Sequence, residues 1–201
     1  MVVLNLSKAM NWDRTLEWHV EQLDSVTLTG YRFSDGWARN QKVYFCTRFS
    51  QPIRSVEQDE VVTMTFDLTD SQGALTVITA LSGTGIEGAK RNLQAEAQTD
   101  DFSYYLSKAE KAWNEALGKI KVKSNDPDKL ATFYTALYHA QIAPTLYDDV
   151  DGSYLGPEGA VHRTEGWSNY STFSLWDTYR AAHPLYCLIQ PDKAADMARS
   201  I

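Results

Sequence analysis

The chain has 201 residues, 43% of them hydrophobic, and a net charge of −7, with a pI near 5.1. That length suits one large domain or two small ones, and the acidic balance argues against a broad electrostatic grip on nucleic acid. No stretch approaches the roughly 18 consecutive apolar residues of a membrane span.

The opening residues Met1-Val-Val-Leu-Asn-Leu6 lack a charged segment followed by a long apolar core. A cytosolic protein and one whose leader has been cut away would both look like this. The first half then reads as β. Residues 16–22 and 25–33 are candidate strands. Over 43–49, Val43, Phe45, Thr47 and Phe49 alternate with Tyr44, Cys46 and Arg48. Over 61–68, Val62, Met64, Phe66 and Leu68 share one face, with Thr63, Thr65 and Asp67 on the other. Ser71-Gln-Gly73 is expected to turn a hairpin into a nearly continuous apolar strand at 74–81. Short strands separated by Gly and Asp turns predict an antiparallel sandwich.

Gly83, Gly85 and Gly88 mark the place where strand gives way to helix. A short helix is expected from about 87 to 98. From 102 to 117 the apolar residues Phe102, Tyr105, Leu106, Ala109, Trp113, Ala116 and Leu117 follow helical spacing. Asp126-Pro127 is a strong helix start, since Asp accepts from orphan N–H groups and Pro at the first helical position loses nothing. Leu130, Phe133, Tyr134, Leu137, Tyr138 and Ile142 continue as an apolar stripe until Pro144 ends it. Residues 145–170, rich in Asp, Gly, Ser and Tyr, read as a loop with a β-hairpin. Helical spacing resumes near 173, and Gln190-Pro191 starts a last helix by the same capping logic. Strands first and helices afterwards predict an α+β chain rather than alternating βαβ units.

Few residues carry chemistry by spacing alone. Cys46 and Cys187 lie far apart and read as two buried thiols, which excludes a disulfide framework. His19, His139, His162 and His183 show no zinc-binding spacing, and His139 beside the apolar stripe reads as structural. Asp148-Asp149-Val-Asp151-Gly152-Ser153 invites a calcium reading. Counted from Asp149, however, Tyr154 and Ala160 stand where an EF-hand loop needs Gly and Glu. The simpler reading is a hairpin turn at Asp151-Gly152 flanked by Tyr147 and Tyr154.

The run Tyr170-Ser-Thr-Phe-Ser-Leu-Trp-Asp-Thr-Tyr-Arg-Ala-Ala-His-Pro184 concentrates aromatic rings, a carboxylate and a guanidinium. One reading packs Trp176 in a core and has Asp177 cap the helix or pair with Arg180 at helical spacing. The other points this helix start at a pocket, with Asp177 accepting hydrogen bonds from a polyol.

These stretches together resemble the α-mannosidases of glycoside hydrolase family 92. The resemblance is carried by Phe133-Tyr-Thr-Ala-Leu-Tyr-His139, Asp149-Val-Asp-Gly-Ser-Tyr154, the run from Tyr170 to Pro184, and Ile189-Gln-Pro191. Upstream, Gly30-Tyr-Arg-Phe-Ser-Asp-Gly-Trp37, Gln41-Lys-Val-Tyr-Phe45 and Ala112-Trp-Asn-Glu-Ala-Leu117 continue it in the same order. Members of that family are much longer. The resemblance implies part of an N-terminal β-sandwich over 1–86, a helical linker over 87–125, and the first helices of an (α/α)6 catalytic barrel over 126–201.

It also implies calcium-dependent, inverting removal of terminal α-linked mannose, of the α-1,2 type, from glycans at a periplasmic or surface location. Trp176 would shape the sugar subsite, Asp177 would bind its hydroxyls, and Arg180 would brace Asp177. Inversion needs an acid and a base roughly 6.5–9.5 Å apart. The family's acid and base motifs, and its calcium ligands, have no counterpart in this sequence. The resemblance therefore assigns no catalytic residue and no metal ligand here, and it implies that the chain alone is inactive. A sugar-binding module and a purely structural piece are the alternatives. An incomplete set of barrel helices would leave an apolar face open, so self-association or a rearranged packing of 126–201 is expected.

Overall fold

A computed structural model describes residues 1–9 and 11–201. In chain order the strands are β1 (Val2–Leu4), β2 (Arg14–Gln22), β3 (Thr27–Asp35), β4 (Gln41–Phe49), β5 (Ile53–Gln58), β6 (Val62–Phe66) and β7 (Val77–Ser82). Helices α1 (Ile86–Glu96), α2 (Phe102–Leu117) and α3 (Pro127–Ala140) follow. Short strands β8 (Thr145–Leu146), β9 (Ser153–Leu155), β10 (Val161–Arg163) and β11 (Tyr170–Ser171) precede α4 (Leu175–Thr178), α5 (Ala182–Ile189) and α6 (Pro191–Arg199). The chain forms two compact units, 1–101 with 149–163, and 102–148 with 164–201.

The first unit is an antiparallel sandwich. One sheet runs β2-β3-β4-β7 and the other β1-β6-β5. The alternation in β6 puts Val62 and Met64 inside, at 0% and 1% exposure. They meet Val20, Leu28, Phe45 and Phe49 from the facing sheet. Burying each such side chain stabilises by about 1.5–3 kcal/mol relative to leaving it in water. The opposite face of β4 is also covered. Cys46 and Ala80 pack against Ala89, Leu93 and Ala97 at the α1 side of the sheet. Burial pushes the Cys46 thiol pKa up, which disfavours the thiolate.

Ser71-Gln-Gly73 does turn the chain, with Gln72 and Gly73 at φ 55° and 81°. It does not make the expected hairpin. Both edges of β6 are occupied, by β1 and β5, so β7 crosses to the other sheet and pairs with β4. Residues 149–163 also belong to this unit. Here the expected turn at Asp151-Gly152 forms, closed by the Gly152 N–H donating to Asp149 O, and Gly152 has φ 82°. The Asp149 N–H also donates to Ser153 O, closing a three-residue loop with Gly152 in the left-handed region, but no paired strands extend from it. β9 pairs with β10 farther along, while β8 pairs with β11.

In the second unit α2 spans the expected residues, and Asp126 caps α3 by accepting from the N–H groups of Asp128 and Lys129 at 3.1 and 3.3 Å. Those backbone donors hold its carboxyl below the usual range. Trp113 of α2 lies 4.6 Å, centroid to centroid, from Tyr138 of α3. Gln190 precedes Pro191 at the start of α6 but makes no side-chain capping bond. Pro191 supplies that helix start instead, because Gln is not among the short polar residues that reach back to the first N–H groups. Tyr186 is buried and its hydroxyl donates to the carbonyls of Ala140 and Ala143. The next residue, Cys187, is exposed. One residue of helix turns the side chain by about 100°, so the expectation of two buried thiols holds for Cys46 and fails for Cys187. The apolar stripes of α2 and α5 are partly uncovered, with Phe102, Leu106 and Leu188 exposed; in α3, Leu137 is buried and Leu130, Phe133 and Tyr134 are half-buried.

Candidate functional site

Asp149 is the buried carboxylate of the first unit, 5% exposed. Its Oδ2 accepts from Ser82 Oγ at 2.8 Å and Thr84 Oγ1 at 2.6 Å, and its Oδ1 accepts from Asn92 Nδ2 at 2.8 Å. Asn92 returns a bond, its Oδ1 accepting from the Val150 N–H. Ser82 Oγ meanwhile accepts from the N–H groups of Thr84 and Gly85, just ahead of α1. A carboxylate there also complements the positive end of the helix dipole. Gly88 is needed for this approach. A Cβ at that position would lie 2.4 Å from both Asp149 Oδ2 and Ser82 Oγ. This cluster is not legible in the sequence, because no local spacing links residues 82–92 to 149.

Asp151, next to it, has a depressed pKa. The Ser153 N–H is the main cause, helped by the Ser153 side chain and by the charges of Arg91 and Arg163, and Arg91 Nη2 lies 3.1 Å from Asp151 Oδ2. A folded pKa below the unfolded one contributes stability that is present above about pH 4 and is lost as the pH falls through the folded value. Asp151→Asn is therefore expected to lower the urea midpoint at pH 6. The gap from wild type should be smaller at about pH 3, below the free carboxylate value. An equal gap at both pH values would refute the assignment.

The aromatic run lies in the second unit. Its approach is fixed by buried or half-buried acceptors. Asp148 Oδ2 accepts from the Asn169 N–H, Asp196 Oδ2 from the Ser168 N–H, and Ser200 Oγ from the Tyr170 N–H. Burial, then the charges of Asp196 and Asp148, push the Tyr170 phenol pKa up. Phe173 stacks on His183, which meets Tyr186 edge-on at 5.5 Å.

Trp176 and Asp177 both sit on α4, at the surface. Trp176 is 87% exposed, so the reading that packs it in a core does not describe this chain. Asp177 accepts a hydrogen bond from the Ser174 hydroxyl at the start of the helix. Arg180 does not brace Asp177. Its guanidinium lies over the Tyr179 ring, 5.3 Å from the centroid, and its Nε donates to the Tyr179 hydroxyl at 2.6 Å. The adjacent ring offers a closer partner than the carboxylate one turn back. An exposed indole with a carboxylate beside it is chemically suited to a sugar, covering an apolar ring face and accepting from hydroxyls.

A concave feature of this unit lies elsewhere. A cavity of about 250 Å³ is lined by Trp113 and Ala116 of α2, Gln141, Tyr170, Gln190 and Lys193, with neighbouring apolar groups. Neither Trp176 nor Asp177 lines it. Among the described residues, no group of three or more His, Cys, Asp or Glu is placed to hold a metal ion. Both oxygens of Asp149 are already taken by neutral donors, so these residues do not fit a calcium site. No helix among the described residues is long and apolar enough to cross a membrane.

Comparison with known proteins adds to this geometry. The Glycosyl hydrolase family 92 N-terminal domain matches residues 1–107, and the Glycosyl hydrolase family 92 catalytic domain matches residues 88–201. The chain belongs to glycosyl hydrolase family 92. It is similar to the solved family GH92 α-mannosidase BT3965 from Bacteroides thetaiotaomicron, with 31% identity and a TM-score of 0.85 over 94% of this chain and 28% of that one. It is also similar to the inverting mannosidase BT2199 from the same organism, with 26% identity and a TM-score of 0.79 over 90% of this chain and 27% of that one. A comparison with curated proteins found no match. The chain thus spans less than a third of the length of the solved relatives. The α+β order of the family 92 chain, sandwich first and helices after, agrees with the expectation from sequence.

Proposed function

We propose that this family 92 chain serves an exo-acting, calcium-dependent, inverting α-mannosidase that removes terminal α-1,2-linked mannose from glycans in the periplasm or at the cell surface. Its own contribution is the sandwich and one wall of the sugar site. Trp176 covers a face of the mannose ring, and the Asp177 carboxylate accepts from its hydroxyls. The observation that carries this reading is the exposed Trp176–Asp177 pair on α4, in a chain 31% identical to a known α-mannosidase over most of its length. The acid, the base and the calcium ligands lie outside these residues, so the chain by itself does not hydrolyse mannosides. The exposed Phe102 and Leu106 of α2 and Leu188 of α5 support self-association of the isolated chain.

The test is a titration of the chain with methyl α-mannoside, alongside an assay with an aryl α-mannoside. Binding is expected in the millimolar range, with Asp177→Ala and Trp176→Ala each weakening it at least ~tenfold, a loss of about 1.4 kcal/mol. No turnover is expected. Hydrolysis by the purified chain would overturn the division of labour. Binding at this surface that ignores both substitutions would overturn the roles of Trp176 and Asp177.

A further inference from the structure

The cavity beside α2 and α6 carries groups that neither the fold nor the Trp176–Asp177 surface uses. Gln190 is 8% exposed, and its side-chain amide makes no capping bond at the start of α6. Gln190 lines the cavity, so the cavity is where a partner could reach it. Three further polar groups line the same space. The Gln141 amide donates to Leu137 O at a long 3.4 Å and leaves its own oxygen uncommitted. Tyr170 contributes a half-buried phenol, and Lys193 contributes an ammonium. Trp113 and Ala116 supply an apolar wall with an indole N–H.

This set has a definite chemistry. Two carboxamides and a phenol both donate and accept, which suits hydroxyl groups. Trp113 and the alanine-lined wall suit the C–H face of a ring. The cavity lining holds one ammonium and no carboxylate; the charges of Asp196 and Asp148 reach it only at Tyr170, so a ligand carboxylate is placed at the Lys193 end. At about 250 Å³ the space lies just below the ~300–1,000 Å³ of drug-sized pockets, which limits the occupant to a single small ring.

From this we infer that the cavity is a second site, separate from the α4 surface, that binds one polyhydroxylated six-membered ring and prefers a uronate to a neutral hexose. Gln190 and Gln141 bond the hydroxyls, Trp113 flanks the ring, and Lys193 pairs with the carboxylate. The site does not depend on the mannosidase reading, because it uses none of the α4 residues.

The test titrates the whole chain with D-glucuronate and with D-mannose, following the Trp113 indole N–H by NMR. Glucuronate is expected to bind more tightly than mannose at this site. Ala116→Leu fills the cavity and should weaken both sugars at least ~tenfold, about 1.4 kcal/mol, while Asp177→Ala leaves the Trp113 response unchanged. Lys193→Ala, at an exposed position, should abolish the preference for glucuronate, and it decides the question if Ala116→Leu does not fold. A Trp113 signal that neither sugar moves would overturn the inference. So would affinities and a preference that Lys193→Ala leaves intact. Loss of the Trp113 response in Asp177→Ala would instead merge this site with the α4 surface, and the inference would fall.

Discussion

Asp149→Ala is expected to destabilise the first unit by about 3 kcal/mol, since bonds to a buried charged acceptor are each worth ~1.5–3 kcal/mol and orphaned donors add their desolvation cost. The wild-type carboxylate holds Ser82, Thr84 and Asn92 at 2.8, 2.6 and 2.8 Å. Alanine leaves all three donors facing a void. It also releases the tie between residues 149–163 and the start of α1, because the Asn92 bond to the Val150 N–H loses its counterpart. Asp149→Asn is the discriminating control. It keeps the shape, and the Ser82 and Thr84 hydroxyls can rotate to accept from the new amide, so it should cost clearly less than alanine. Urea unfolding followed by tryptophan fluorescence reads both. Equal, small losses for the two variants would show that the network is incidental.

Gly30→Ala should be as damaging for a different reason. Gly30 lies on β3 opposite Val20 of β2 and Phe45 of β4. A Cβ there would stand 2.1 Å from the His19 backbone oxygen and 2.6 Å from the Phe45 ring. The ring is itself core, 6% exposed, and the carbonyl belongs to a paired strand, so neither can yield cheaply. The cost should reach or exceed the upper end of the ~1–3 kcal/mol typical of overpacking. A lowered urea midpoint with an unchanged fold by circular dichroism is the expected result. A variant as stable as wild type would mean that β2 can move away from β3 without loss.

Tertiary neighbours explain why some of this was legible beforehand and some was not. The α2 boundaries followed from helical spacing between Phe102 and Leu117, and the α3 start from Asp126-Pro127, because spacing and capping act within a few residues. The inward face of β6 was readable from Val62 and Met64 alternating with threonine. The partner of β6 was not, because pairing depends on which edges β1 and β5 have already taken. Trp176 and Asp177 were legible as residue types suited to sugar. Their exposure was not, nor was the turn of Arg180 toward Tyr179. The cavity beside α2 and α6 left no trace in sequence, since its walls come from residues 112–116, 141–144, 170 and 190–197.

The sequence by itself therefore determined the period of each element, the change from strand to helix near Gly83–Gly88, and the family 92 motifs with their order along the chain. Only the tertiary structure decided that β6 and β7 serve different sheets, that β4 is buried on both faces, and that Asp149 anchors residues 149–163 to the sandwich. The physical reason is range. Periodicity and capping are set by neighbours along the chain, whereas edges, clefts and buried hydrogen bonds exist only once distant residues have met.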